Sequence, residues 1–313
     1  MTDARVPAPG SPFPPIPRDF MSADLTVVDT VPKLPPREAD SHKGTYGRVL
    51  VVAGSCGMTG AAVLSGSAAL RGGAGLVWVA SPSEVQDIVA AGNPCYLTVG
   101  IPHHTNGTFS PASADHVVGR AEKVDVVAAG PGLGSRPDVA HLLRTLLAAR
   151  PDQPAVLDAD GLTALAADPT AYSLRPGRLV MTPHPGEFAK VLGTTIDEVQ
   201  ASREPLAAEF AARHNVVLLL KGHKTVVTDG RRVYRNTTGN PGMSTGGSGD
   251  VLTGLIAALI GQGLEPFAAA VLGAWAHGRA GDLAAAALSQ VALTAADLLD
   301  YLPGVFLEME RGG

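Results

Sequence analysis

The chain has 313 residues, of which 45% are hydrophobic and only 4% aromatic, and carries a formal charge of -5. That is apolar material for one large core or two small ones, filled by Val, Leu and Ala rather than by rings. Mild acidity, with no run of Lys and Arg, argues against nucleic acid, and no stretch reaches the roughly 18 apolar residues of a bilayer span. Cys56 and Cys95 have neither CxxC nor metal-ligand spacing, which reads as reduced thiols in a cytoplasm.

Residues 1–40 begin "MTDARVPAPGSPFPPIPRDF" and continue through "VPKLPPREAD". The prolines block regular pairing, and no apolar signal core is present, so a mobile tail is expected here. A single domain is expected over 41–313, with regular structure starting near Tyr46. Six short apolar runs read as strands: "RVLVVAG" (48–54), "LVWVA" (76–80), "VDVVAAG" (124–130), "AVLDAD" (155–160), "RLVMTP" (178–183) and "VVLLLKG" (216–222). Several are apolar on both faces, as strands between two helix layers must be. Helical stretches such as "GAAVLSGSAALRGG" and "DVAHLLRTLLAAR" lie between them, which predicts an α/β fold with a mostly parallel sheet and right-handed crossovers. Late in the chain, "KTVVTDGRRVYRN" places Asp229-Gly230 between two strand runs, a β-hairpin signal. Only helices follow, including "DVLTGLIAALIGQGL" and "PFAAAVLGAWAHGRAGDLAAAAL".

The turns after these strands hold the chemistry. Gly54, Gly57 and Gly60 are spaced three apart, which is not the dinucleotide fingerprint, and no acid follows at the required distance. Gly60, Ala61 and Ala62 nevertheless open a helix whose N–H groups can meet a polar ligand. "AAGPGLG" carries Gly130, Gly132 and Gly134 at a carboxyl strand end, either as a plain turn or as a ligand wall. Asp158 and Asp160 in "LDADGL" either cap the next helix or act around magnesium and water. His184 sits between prolines in "TPHPGEF", and Glu187 falls in the first turn of the helix that follows. With no third ligand evident, the pair does not suggest zinc. Lys221, His223 and Lys224 in "LKGHKT" suit phosphate contact or a solvated turn.

"GGSGDVLTG" then puts Gly246, Gly247 and Gly249 just ahead of an apolar helix. Glycines let several N–H groups converge on an anion at the helix N-terminus, with Asp250 at the rim. A capping acid alone would not need three glycines. The Lys-Ser/Thr pair of a Walker A loop is missing. The dipole and the N–H groups favour the charged form, so Asp250 is expected to be ionised at neutral pH.

Taken in order, "VLVVAGSCGMTGAAVLSG", "GPGLG", "DADGL", "TPHPGEFAKVLG", "KGHKTVV", "GNPGMSTGGSGDVLTGLIAALIGQG" and "AHGRAGD" resemble the ADP-dependent NAD(P)H-hydrate dehydratases over residues 43–302. That resemblance implies the ribokinase-like superfamily and its three-layer α/β/α sandwich. It implies repair of NADHX and NADPHX, reduced nicotinamide cofactors hydrated across the 5,6 double bond, with ADP as co-substrate leaving as AMP and phosphate. Magnesium would bridge the ADP phosphates, with no protein ligand set implied. Lys221, Gly222, His223, Lys224, Thr225, Gly246, Gly247, Ser248 and Gly249 would touch ADP. Gly60, Ala61, Ala62, Gly132, Gly134, His184 and Asp250 would touch the hydrate, Asp250 as the base. Two departures stand out: "GGSGD" replaces the commoner "GGTGD", and bulky His223 occupies a position expected to be small. A homo-oligomer, specifically a homotetramer, and a separate epimerase chain are further expectations. A vitamin or sugar kinase of the same superfamily, or a non-catalytic nucleotide sensor, would share the glycine loop.

Overall fold

The computed structural model describes residues 25–312. Their strands are β1 (Thr26–Val27), β2 (Arg48–Val52), β3 (Leu76–Pro82), β4 (Leu97–Ile101) and β5 (Val126–Ala129). After them come β6 (Ala155–Leu157), β7 (Leu179–Met181), β8 (Val217–Leu220), β9 (Val226–Thr228) and β10 (Arg232–Arg235). All lie in one sheet, in the order β1-β10-β9-β8-β7-β6-β5-β2-β3-β4. Every pairing is parallel except those of β9, which runs against β8 and β10 as the Asp-Gly hairpin predicts.

Helices cover both faces. α1 (Thr59–Arg71), α2 (Gln86–Gly92) and α3 (Ser113–Ala121) alternate with the early strands, and α4 (Pro137–Ala149) and α5 (Asp160–Ala164) follow. α6 (Pro185–Leu192), α7 (Ile196–Ala201) and α8 (Arg203–His214) precede β8, and α9 (Ser248–Gly261), α10 (Pro266–Leu288) and α11 (Ala295–Glu310) end the chain. Strand β2 shows why the sheet is sandwiched. Val49 and Val51 join one core with residues of α1, α9, α10 and α11, while Leu50 and Val52 join another with residues of α3, α4, α6 and α8. A strand apolar on both faces is stable only between two layers.

Two elements escaped the sequence reading. β4 is an edge strand whose side chains are mostly half-exposed, so it lacks a fully apolar run. β1 lies inside the stretch expected to be a mobile tail, and pairs in parallel with β10. Val28, Val31 and Leu34 pack against the core, and Arg37 donates to the Gly73 carbonyl at 2.8 Å while covering the Tyr46 ring. The tail expectation therefore fails for residues 25–40: prolines exclude a long strand, but the apolar side chains between them cover an otherwise open sheet edge. The rest of the expected tail, residues 1–24, lies outside the described residues.

The sheet order places the site. β2 is flanked by β3 and β5, so the loops after β2 and β5 diverge and open a crevice at the carboxyl ends. α9 approaches that crevice closely because it packs on α1 through small residues. A Cβ at Gly254 would stand 2.0 Å from the Ser65 carbonyl oxygen.

Candidate active site

Asp158 leaves the end of β6 almost wholly buried, 1% exposed. The chain then turns, with Gly161 N–H donating to the Asp158 carbonyl at 3.0 Å and Ala159 at φ 51° and ψ -126°. That left-handed conformation strains a residue with a side chain, and the neighbouring interactions must hold it. Asp160 does so by accepting the Gly134 N–H at 2.8 Å, which laces the loop after β6 to the loop after β5. Neither Asp158 nor Asp160 caps α5, contrary to the capping alternative. The bonds that would cap the helix are spent on organising the crevice.

Next along the sheet, β7 delivers His184 as the N-cap of α6. Its Nδ1 accepts from Gly186 N–H at 3.0 Å and Glu187 N–H at 3.3 Å, and Glu187 Oε2 accepts the His184 N–H at 2.8 Å. This reciprocal capping box, framed by Pro183 and Pro185, fixes the Glu187 carboxylate inward. β8 then brings in Lys221, whose Nζ donates to Asp158 Oδ1 at 2.8 Å and lies 3.8 Å from Glu187 Oε2.

The N-terminus of α9 closes the array. Thr253 Oγ1 donates to Asp158 Oδ2 at 2.8 Å. A Cβ on Gly249 would meet Lys221 Nζ at 3.0 Å, so the helix start rests directly on the ammonium. Burial, then the nearby Asp158 carboxylate, push Asp250 up from 3.8 to about 7, with Lys221 opposing. This corrects the expectation that Asp250 is fully ionised at neutral pH. The helix dipole favours the charge, but desolvation and three neighbouring carboxylates outweigh it. Burial likewise raises Glu187, against the pull of Lys221. Burial pulls Lys221 down, but Asp158 and Glu187 more than compensate and hold its proton more tightly than an ordinary lysine. The arrangement is a proton acceptor tuned to neutrality, beside a fixed cation and a helix N-terminus.

A family model described as NAD(P)H-hydrate dehydratase matches residues 49–304. The chain belongs to the NAD(P)H-hydrate dehydratase family. It is 40% identical over 250 residues to the ADP-dependent (S)-NAD(P)H-hydrate dehydratase of Neisseria meningitidis, covering 79% of this chain and 80% of that one. It is 51% identical over 281 residues to the bifunctional NAD(P)H-hydrate repair enzyme Nnr of Moorella thermoacetica, covering 89% of this chain and 53% of that one. The chain thus spans about half the length of the bifunctional relatives it matches. Among solved structures, a ribokinase-like superfamily protein from Enterococcus faecalis superimposes with a TM-score of 0.76 at 25% identity, covering 94% of this chain and 95% of that one. The ADP/ATP-dependent NAD(P)H-hydrate dehydratase from Bacillus subtilis, co-crystallized with ATP/Mg2+, gives a TM-score of 0.73 at 29% identity, covering 96% and 99%. The fold is therefore the ribokinase-like α/β/α sandwich.

Within this family member, the residues expected to touch ligands fall into two groups. Asp250, Gly249 and Lys221 meet at the array. Gly246, Gly247 and Ser248 lead into it, Gly247 as the N-cap of α9. Gly222, His223 and Lys224 are exposed beyond β8, and Thr225 Oγ1 donates to the Gly222 carbonyl at 2.9 Å. Lys221 differs from the expected surface phosphate contact, because its ammonium is turned inward onto carboxylates. Across the crevice, Gly60 is exposed and open, but Ala62 is buried and the Ala61 N–H turns back to the Met58 carbonyl at 3.3 Å. Of the two glycines after β5, Gly132 accepts from Ser55 Oγ at 2.9 Å, and the Gly134 N–H is taken by Asp160. Gly60 is the most open member of that wall, while Ala61 and Gly134 already use their N–H groups within it. His184 keeps an exposed ring, with Nδ1 occupied by its own helix.

Two contributors went unread in the sequence. Thr253 stands one helical turn after Gly249, a spacing that puts it on the same face and that could have flagged it. Arg203 donates to the carbonyls of Leu220 and Lys221 at 3.0 and 3.2 Å and holds the end of β8. Nothing in its local sequence points there. Among the described residues, no helix is long and apolar enough to cross a membrane, and no three His, Cys, Asp or Glu converge on a metal position.

Proposed function

We propose that the chain catalyses ADP-dependent dehydration of (6S)-NADHX and (6S)-NADPHX to NADH and NADPH, releasing AMP and phosphate. The observation that carries this reading is Asp250, raised to about 7 at the N-terminus of α9 and one residue from the Lys221 contact. Hydroxide is a poor leaving group, so the ring hydroxyl must be activated. The N–H groups at the start of α9 have no intrahelical partners and offer an oxyanion-type hole for the terminal phosphate of ADP. As the ring oxygen attacks that phosphorus, the bond to the AMP oxygen breaks and Asp250 takes the hydroxyl proton. The ring nitrogen lone pair then expels phosphate, and loss of a proton from the neighbouring ring carbon restores the double bond.

Magnesium fits this site as a companion of the nucleotide. Lys221 is the cation beside Asp250, against three carboxylates that bear on it, namely Asp158, Asp160 and Glu187. A bare diphosphate would meet net negative charge, and an ion carried on its oxygens offsets it. Magnesium keeps several waters and is held through one or two carboxylates plus substrate phosphates rather than by a dedicated protein cage. Glu187 would hold its water shell, with Asp158 fixing Lys221 behind it, and the ion would stabilise charge on the transferring phosphoryl group. An epimerase activity on the same hydrates, a homo-oligomeric assembly and a cytoplasmic location complete the reading. The test is to incubate the protein with magnesium, ADP and (6S)-NADHX while following the absorbance of NADH and the formation of AMP. NADH without stoichiometric AMP would refute the phosphorylation route.

A further inference from the structure

α10 carries "AHGRAGD" (residues 276–282), a motif that supplies no group to the array around Asp250. Its neighbours along the helix form one continuous face, and that face grips the segment leading into α9 at every few residues. Asn236 Nδ2 donates to the Ala274 carbonyl at 3.2 Å, and Thr238 Oγ1 donates to the Trp275 carbonyl at 2.8 Å. Asp282 accepts from Gly239 N–H and from Asn240 Nδ2, each at 3.0 Å. Small residues let the segment lie flat: a Cβ on Gly278 would stand 2.3 Å from Thr238 Oγ1, and one on Gly281 2.2 Å from Met243 Sδ. The last grip is His277, whose Nε2 lies 2.9 Å from the Ser248 carbonyl oxygen.

That last contact has a geometric consequence. A carbonyl oxygen only accepts, so Nε2 must carry the proton and donate. Burial pulls His277 down to about 4, which keeps the ring neutral with that single tautomer. The Ser248 carbonyl and the Gly249 N–H belong to one rigid trans peptide plane and point in opposite directions. Holding the oxygen on α10 therefore aims the Gly249 N–H back out of the helix start, toward the anion hole. Asp250 is the next residue along the same turn.

We propose that His277 and Asp282 are positioning residues: they fasten residues 236–248 to α10 and thereby aim the Gly249 N–H and the Asp250 carboxylate. The proposal rests on the reading of the α9 N-terminus as the phosphoryl-transfer site. Its test therefore pairs turnover with a readout independent of turnover. Hydrogen exchange of the ligand-free enzyme reports the order of residues 239–250, and steady-state kinetics with ADP and (6S)-NADHX report the aim. His277→Leu removes the donor and His277→Gln restores one at a similar reach. His277→Leu should lower kcat by about ten- to a hundredfold with little change in the KM for NADHX, as expected for small misplacement of reacting groups. It should also speed amide exchange in the glycine loop by about tenfold or more, and His277→Gln should recover both. Asp282→Ala should speed exchange at residues 239–243, and it carries the test if His277→Leu does not fold. Equal kcat and equal exchange in His277→Leu and His277→Gln would overturn the proposal, as would unchanged exchange in Asp282→Ala. If wild-type enzyme makes no NADH while the exchange pattern holds, the dehydratase reading has failed and the positioning role has not.

Discussion

Asp250→Asn separates two accounts of the acid at the start of α9. Burial and Asp158 move its carboxyl from the ordinary 3.8 to about 7. The unfolded chain releases this proton near pH 4, whereas the folded chain keeps it until about pH 7. Between those values the native state binds more protons than the unfolded one, so stability falls as pH rises. At about 1.4 kcal/mol per pH unit, the interval from 3.8 to about 7 is worth about 4 kcal/mol above neutrality. Asparagine keeps the shape without the charge and should remove that penalty. In a chain of this length about 2 °C accompanies each kcal/mol, so the melting temperature should rise by about 8 °C at pH 8 and hardly at all at pH 4. Turnover should move the other way, falling on the order of 10²–10⁴-fold because asparagine cannot take the proton. ADP affinity should hold or improve, since a negative charge near the phosphates has gone. Scanning calorimetry at both pH values, ADP titration and the NADHX assay test these together. An equal melting temperature for both proteins at pH 8 would show that Asp250 is an ordinary ionised first-turn acid. Turnover above about a tenth of wild type would remove it as the base, because that lies well outside the general-base range.

Lys221→Met should destabilise the fold by about 3–5 kcal/mol in chemical denaturation, because it leaves the Asp158 carboxylate buried without its cation. Lys221 holds its proton more tightly than an ordinary lysine. Its own charge is therefore fully present below pH 10.5, but Lys221 also holds Asp250 down from a still higher value, so the loss should grow as pH rises through about 7; a loss under about 1 kcal/mol would refute the pairing's structural role. Gly254→Val places atoms where the Ser65 carbonyl already lies, so it should cost about 3 kcal/mol or more by overpacking and lower the melting temperature. An unchanged melting temperature would mean that α1 and α9 are not in close register. Deletion through Arg37, compared with deletion through Asp24, removes β1 and the Val28, Val31 and Leu34 contacts and should cost on the order of 3 kcal/mol. Identical melting curves for the two truncations would restore the view of this stretch as a free tail.

The local pattern carried much of the fold. β2, β5 and β8 are short β-branched or leucine runs with apolar residues on both faces, and only a strand between two layers uses such a run. The hairpin was legible because Asp229 and Gly230 have turn chemistry of their own, here Asp229 accepting the N–H groups of Arg231 and Arg232. Likewise, the three glycines before Asp250 announced a helix start with converging N–H groups, a property of the backbone that neighbours in sequence already determine. The capping box at His184 and Glu187 is local in the same sense.

What the tertiary structure alone decided is the electrostatics. Asp158, Glu187, Lys221 and Asp250 come from the ends of β6, β7 and β8 and from α9, and they interact only because the sheet order sets those ends side by side. The local rule for Asp250, a carboxylate at a positive helix end, overstated its ionisation at neutral pH, since burial and distant carboxylates outweigh the dipole. For Lys221 the local rule suggested a surface phosphate contact, and long-range pairing turned it inward. The edge strands β1 and β4 were hidden for a related reason. An edge is defined by which strand lacks a neighbour, and no stretch of sequence records that by itself. Chain neighbours thus determine backbone conformation and apolar pattern, whereas charge state and partner depend on residues tens to hundreds of positions away, brought close only by folding.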